Sequence, residues 1–481
     1  MTSSAAVIVL VIYGLGLAAV GLWASCSVRL AADFYVAGRR LGPGLLAATV
    51  LAANIGSGTT VGVAGLAYDI GVAAWWWTGS AIVGTVVLAL TLGPRMWRVA
   101  RDLDCYTVGD YLERRYGVGL RTSVMALLWI GSVLILMAQI VAIGNVVLAF
   151  SGVGLGYGIV LGGAVVLVYY AAGGLWSSAI VNVVQLAVKF VAFPLALLAA
   201  ARILGGFAAV RAATEAAGTA DAYFSPWSVG WLGIAGYIGV LGTSFVISPG
   251  ILQKAFGARD EPTVRRGLLL SAAGLAAFAF IPVALGMLAR SHWPEPLYAG
   301  EPNWVLPQLL VEVLPPAVGI LTLAAVVSAE LSSADAVLFM LSTSMSRDFY
   351  QRFWNRGVDD RGLLRAGRVS ALVGLLVSVA LALAFPSILG GLATFYSLLV
   401  VALAVPLVAG LYSPRSGNRA ALASLAASLT VTLAGLLWTA APPGPGNLWP
   451  SVLGIAAGAI ACAVVTVAAP AVLVAGPGDR G

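Results

Sequence analysis

Thirteen apolar stretches divide this chain, and their number constrains the fold more than any other feature. They cover residues 4–25, 44–68, 72–93, 121–150, 155–172, 179–201, 230–252, 267–289, 315–345, 370–386, 390–412, 420–441 and 451–475. Each has the ~20 residues that a helix needs to cross the hydrocarbon core, with tilt taking up the longer ones. Lipid offers no partner to a free backbone N–H or C=O, so each span is expected to be helical. Only 9% of the 481 residues are charged, against about 25% in a soluble domain. The expected class is an all-α polytopic membrane protein with 13 transmembrane helices. The first span lacks a basic leading segment and its apolar core is too long for a cleaved signal peptide.

An odd number of spans puts the termini on opposite sides, and basic loop residues choose the side. With the N-terminus outside and the C-terminus cytoplasmic, all but four of the 26 Lys and Arg fall in cytoplasmic loops, Lys254 among them. Arg202, Arg211 and Arg290 fall outside and Lys189 falls within the membrane. This also accounts for the net charge of +7 and makes nucleic acid a poor partner, because the charges are spread over short loops. The expected location is the cell membrane, with the lipid bilayer as solvent.

Several functions are disfavoured. The three cysteines, Cys26, Cys105 and Cys462, lie in or near cytoplasmic loops or in the last span, where no disulfide is expected. The single histidine, His292, sits on an outer loop, which argues against histidine catalysis and against a His-ligated metal. No Walker-type phosphate loop occurs, which argues against primary pumping. No core span carries a His/Asp/Glu cluster, so an intramembrane enzyme is not expected.

Two spans are interrupted by glycine and small polar residues: Ala52–Thr60 (AANIGSGTT) and Gly242–Gly250 (GTSFVISPG). Backbone freed at such depth has to line a cavity, and paired breaks at corresponding places in two halves point to an inverted-repeat transporter. Spans 2–6 and 7–11 form the two sets of five. Lys189 lies halfway along the sixth span. A charge there costs roughly 3 kcal/mol on insertion scales, so it must face the interior.

These residues resemble the sodium/solute symporter family, whose bacterial members include sodium/proline and sodium/galactose symporters. The resemblance is carried by Asp33–Arg40 (DFYVAGRR) before the first break, Ala52–Ile55 at it, Thr107–Gly117 (TVGDYLERRYG), and Gly173-Gly174-Leu175 with Gln185. Gln253-Lys254 and Ala325–Ser328 leading to Arg347-Asp348-Phe349-Tyr350 complete it. It runs from about residue 30 to 415 and implies a LeuT-like five-plus-five inverted repeat, with one extra helix before and two after. The expected division is 1–30 for the extra helix and 31–415 for the transport core, with repeats at about 44–201 and 230–412. Two C-terminal helices and a tail fill 416–481.

The resemblance also implies a sodium site, formed by the carbonyls of Ala52, Ile55 and Ala325 and the hydroxyl of Ser328. A second hydroxyl usually follows, where this chain has Ala329, and an aspartate of the fifth core helix is matched by Asn182. Lys189 lies two turns beyond Asn182, with Gln185 between them on one face. An ammonium carries the charge of Na⁺ and donates to the same carbonyls, so Lys189 reaching the site would replace the ion, with Glu330 or Asp335 as balance. A structural ion pair remote from the site is the alternative.

Candidate solute contacts beside the breaks are Ser57, Thr59, Thr60, Trp76, Trp77, Ser80, Gln139, Thr243, Ser244 and Phe245. The set is aromatic and hydroxylic, which disfavours a sugar. The tryptophan run 75–77 also reads as an interfacial aromatic belt. The leading expectation is a secondary transporter of a small organic solute, not an enzyme and without a cofactor, with Na⁺ or H⁺ as possible coupling ion. The alternatives are an ordinary sodium symporter and a transporter-like membrane sensor.

Overall fold

The computed structural model describes residues 36–170, 175–294, 302–355 and 357–468, with part of the stretch 13–23. Most of the first expected span, Cys26, Asp33-Phe34-Tyr35, Gly173-Gly174 and the end of the last span lie outside the described residues. The described chain is helical, with a single isolated bridge between Leu41 and Ala258. Ten helical segments among the described residues are long and apolar enough to cross a membrane. Leu155–Leu167 and Pro43–Asn54 are apolar but shorter.

Helix α1 is Pro43–Asn54, α2 is Val61–Ile70 and α3 is Trp75–Leu90. A short helix α4, Val108–Tyr116, precedes the long α5, Val118–Ser151. Then come α6, Leu155–Tyr170, and α7, Leu175–Ile203. The second broken element comprises α8, Gly230–Gly236, a wide π-turn over Tyr237–Gly242, α9, Thr243–Ile247, and α10, Pro249–Phe256. The rest are α11, Glu261–His292, α12, Pro316–Thr343, α13, Asp360–Ala384, α14, Ile388–Tyr412, α15, Asn418–Thr439, and α16, Trp449–Ala468.

The first expected interruption lies between α1 and α2. Ile55 makes the last helical bond, N–H to Leu51 O at 3.1 Å, and then leaves helical geometry at φ −97°, ψ 88°. Gly56 allows a close approach there: a Cβ would lie 2.2 Å from Ser333 Oγ and 2.9 Å from Gln139 Oε1. The backbone polar groups freed by the break find side chains. Gly56 N–H donates to Thr59 Oγ1 at 3.0 Å, and Ser57 N–H donates to Gln139 Oε1 at 3.0 Å. The second interruption is narrower than Gly242–Ser248. Gly242 ends the π-turn and the helix continues through Ile247, so the break is Ser248 alone, at φ −52°, ψ 116°. Pro249 opens α10 because it has no N–H to lose.

Helix α1 packs among α7, α11 and α12. Its register with α7 is parallel: Asn182 meets Thr49, and seven residues on Lys189 meets Ala52 and Ile55. α15 and α16 pair with each other and lean on α14. The outer face is apolar, with Leu198, Leu232, Leu437 and Trp438 all more than half exposed, as suits a surface solvated by lipid. On the rim, Cys105 is buried and pairs with no cysteine among the described residues. Burial pushes its thiol up to about 11, so it stays protonated.

Candidate functional site

The centre of the molecule holds two buried lysines and two buried carboxylates. Lys189 is fully buried on α7. Its ammonium donates to Ala52 O and Ile55 O, both at 3.3 Å, and to Ser332 Oγ at 2.7 Å. Ser332 Oγ also lies 2.8 Å from Ala52 O and 2.9 Å from Ala329 O. Its one proton can serve either carbonyl while a lone pair takes the ammonium. The sequence reading put Ser328 and Ala325 in these positions, and the structure corrects it by one helical turn. Ser328 Oγ is buried and bonds neither Lys189 nor the carbonyls of the break, and Ala325 is buried one turn back along α12. The residues across from the break are Ala329, Ser332 and Ser333, and Ser333 Oγ donates to Ala53 O at 3.0 Å. The carbonyl and two hydroxyls expected of this helix are therefore all present. Counting from Ala329-x-x-Ser332-Ser333 would have found them.

Glu330 lies on the same helix, within electrostatic reach of Lys189. It accepts from Thr60 Oγ1 at 3.0 Å. That places a carboxylate at the start of α2, where a helix end favours negative charge. Lys254 and Asp335 are likewise within electrostatic reach of each other. Lys254 does not belong to a cytoplasmic loop. It is 3% exposed and donates to Thr49 O at 2.8 Å. Asp335 accepts from Ser178 Oγ. Asn182 donates to Thr49 Oγ1 at 3.1 Å, below the Lys189 contacts.

Between the two breaks lies a cavity of about 100 Å³. Of the candidate contacts, Ser57, Thr59, Gln139, Ser244 and Phe245 line it. The other five do not. Thr60 turns to Gly56 O and Glu330, and Ser80 donates to Trp76 O within its own helix. Trp76 bonds Pro226 O and leans on Trp227, 5.9 Å between ring centres, at the outer surface. Thr243 is half-buried away from the cavity. Trp77 sits one layer out, edge-on to Tyr237 and Tyr396 at 6.2 and 6.3 Å. The sequence reading missed Asn54, Ser333, Lys254 and the α14 wall of Leu392, Phe395 and Tyr396. Asn54 adjoins the flagged Ile55, and Ser333 lies between the flagged Glu330 and Asp335. The α14 residues carry no local mark that separates them from any apolar helix.

On the rim facing α4, Arg121 at the start of α5 pairs with Asp110 at 3.1 Å and with Glu113. Arg352 pairs with Glu113 at 2.7 Å, and Arg347 stacks 4.2 Å over the Tyr106 ring. The cluster ties α4 to the helical extension after α12.

Comparison with known proteins agrees with this architecture. A sodium/glucose cotransporter of Vibrio parahaemolyticus is 24% identical over 427 residues, covering 78% of this chain and 74% of that one. A sodium/pantothenate symporter of Escherichia coli is 26% identical over 413 residues, 82% of each chain. An osmoregulated proline transporter of Bacillus subtilis is 26% identical over 400 residues, 78% of this chain and 77% of that one. A solved Na⁺-coupled sialic acid symporter superposes with a TM-score of 0.82 at 19% identity, over 98% of this chain and 99% of that one. The fold is thus that of a multi-pass membrane transporter, and the inverted repeat fits it. Relatives of this kind are transporters, not enzymes, and the family's coupling ion is Na⁺. Residues 34–427 match the profile described as the sodium:solute symporter family, and the chain belongs to that family.

Proposed function

We propose that the protein moves a small organic solute by alternating access through the cavity between the two breaks, and that the Lys189 ammonium stands where the family binds its cation. Transport then does not require Na⁺. The observation that supports this is the contact set of Lys189 Nζ: two carbonyls of the broken helix and the Ser332 hydroxyl. A sodium ion brought within about 4 Å of that ammonium meets a repulsion of ~4 kcal/mol at an effective dielectric of 20. The second reading is an ordinary sodium symporter. It is favoured by the completeness of the oxygen set at Ala52, Ile55, Ala329, Ser332 and Ser333, which awaits only withdrawal of the lysine. Relatives named for glucose, proline and pantothenate support a small organic solute; in this reading it is brought across by a protein with thirteen spans, N-terminus outside and C-terminus cytoplasmic.

Uptake into proteoliposomes under an imposed Na⁺ gradient, against the same gradient of choline, tests the cation assignment. Equal rates are expected. Saturable stimulation by Na⁺ with Lys189 intact selects the second reading. Cysteine labelling that put the 347–365 loop outside would overturn the orientation.

A further inference from the structure

We infer that the solute is a small organic monoanion, a carboxylate on an apolar body; this rests on the reading of the central cavity as the solute site. Among the described residues the cavity wall carries no Asp or Glu, and Lys254 is its one basic residue. Glu330 and Asp335 stand behind the wall, the former held by Thr60 and the latter by Ser178.

The polar atoms facing the cavity are unequally provided for. Asn54 Nδ2 and Ser57 Oγ are buried without a partner, on residues 8% and 0% exposed. Both residues line the cavity at the first break. The wall's acceptors, in contrast, are already engaged. Gln139 Oε1 takes the Ser57 N–H, Ala53 O takes Ser333 Oγ, and Asn54 O takes Thr59 Oγ1 at 3.1 Å. A ligand therefore meets an amide N–H and a hydroxyl that lack an acceptor, beside a lysine with one of its three N–H groups engaged by Thr49 O, and finds few acceptors for donors of its own. The eight-residue α10 is capped by the wall residue Ser248 and adds the positive end of a helix. A buried unpartnered donor is costly, and hydrogen bonds to an ionised acceptor are about twice as strong as neutral ones. A carboxylate completes this set. An alkylammonium does not, because it brings donors to donors and a positive charge beside Lys254. A sugar, which needs acceptors as much as donors, is poorly served. The remainder of the wall is apolar and aromatic, with Phe245, Leu392, Phe395, Tyr396, Val337 and Met340, so the body that carries the carboxylate is hydrocarbon.

The test is a matched ligand series on the purified full chain: butyrate, butyramide and butylamine, then phenylacetate, phenylacetamide and phenethylamine. Binding is read by thermal shift and by tryptophan fluorescence, since Trp77 sits one layer from the cavity. At least one carboxylate should bind at least tenfold tighter than its amide, with the amine weaker still. Equal or tighter binding of amide or amine, or no binding of either carboxylate, overturns the inference. A second arm compares Lys254→Met, and Ser57→Ala should that variant not fold. The affinity ratio of carboxylate to amide should fall several-fold, whereas a merely structural role would lower both affinities together and overturn the assignment of these groups. Carboxylate binding without any uptake would sink the transport reading and leave this one standing.

Discussion

Lys189, in the middle of α7, and Arg121, in the first turn of α5, are both buried cations, yet their surroundings differ in kind. Arg121 is held by two carboxylates, Asp110 and Glu113, with side-chain exposures of 16% and 19%. Lys189 touches only neutral oxygens, and its balancing carboxylate, Glu330, is engaged elsewhere by Thr60. A guanidinium between two carboxylates is a fixed clamp, matched in charge and fork geometry. An ammonium among carbonyls and a hydroxyl is an arrangement that a metal cation can equally occupy, and a flexible four-carbon stem can leave it. The rim therefore looks built to hold two segments together, and the centre to exchange what it holds.

The largest expected effect separates the two by activity. Lys189→Met leaves Ala52 O, Ile55 O and Ser332 without their donor, and uptake should fall on the order of tenfold or more, equivalent to about 1.4 kcal/mol or above. Raising external Na⁺ should restore part of the loss in this variant and none in the wild type. Full activity of Lys189→Met in radiolabelled uptake would erase the distinction between centre and rim.

Arg121→Ala should act on stability first. It leaves Asp110 without its cation and Glu113 with Arg352 alone, at a cost of ~2–3 kcal/mol. A lowered unfolding midpoint in detergent, with the apparent affinity for solute unchanged, is expected. A changed affinity with an unchanged midpoint would show that the rim cluster is not a clamp.

The smallest effect sharpens the register of the central site. Ser332→Ala removes the 2.7 Å partner of Lys189 and should slow uptake several-fold, whereas Ser328→Ala deletes a hydroxyl that does not touch the lysine and should leave uptake at the wild-type level. Paired transport assays that found the reverse would move the site back by one turn of α12.

Much of this was legible before the fold. Apolar spans, the broken segment at Ile55 and a charged residue in mid-membrane all follow from the cost of unsatisfied polar groups in lipid, which acts on each segment alone. That Lys189 must face inward follows from the same local argument, whereas the carbonyls of Ala52 and Ile55 were singled out by the family resemblance. The turn of α12 that meets them does not. Ser328 and Ser332 lie on one face of the same helix, and only the packing of α12 against α1 puts Ser332 and Ser333, and not Ser328, beside the break. Lys254 shows the same limit. By spacing it follows the last apolar residues of its span and reads as a loop lysine. The restart of the helix at Pro249 carries it instead under α1 to Thr49 O. The chain's own chemistry determined that this is a helical membrane protein with a buried cation beside a broken helix. The identity of the oxygens around that cation, and of the donors left open to a solute, was decided by helix register and crossing, which depend on how distant segments pack and are written in no single one of them.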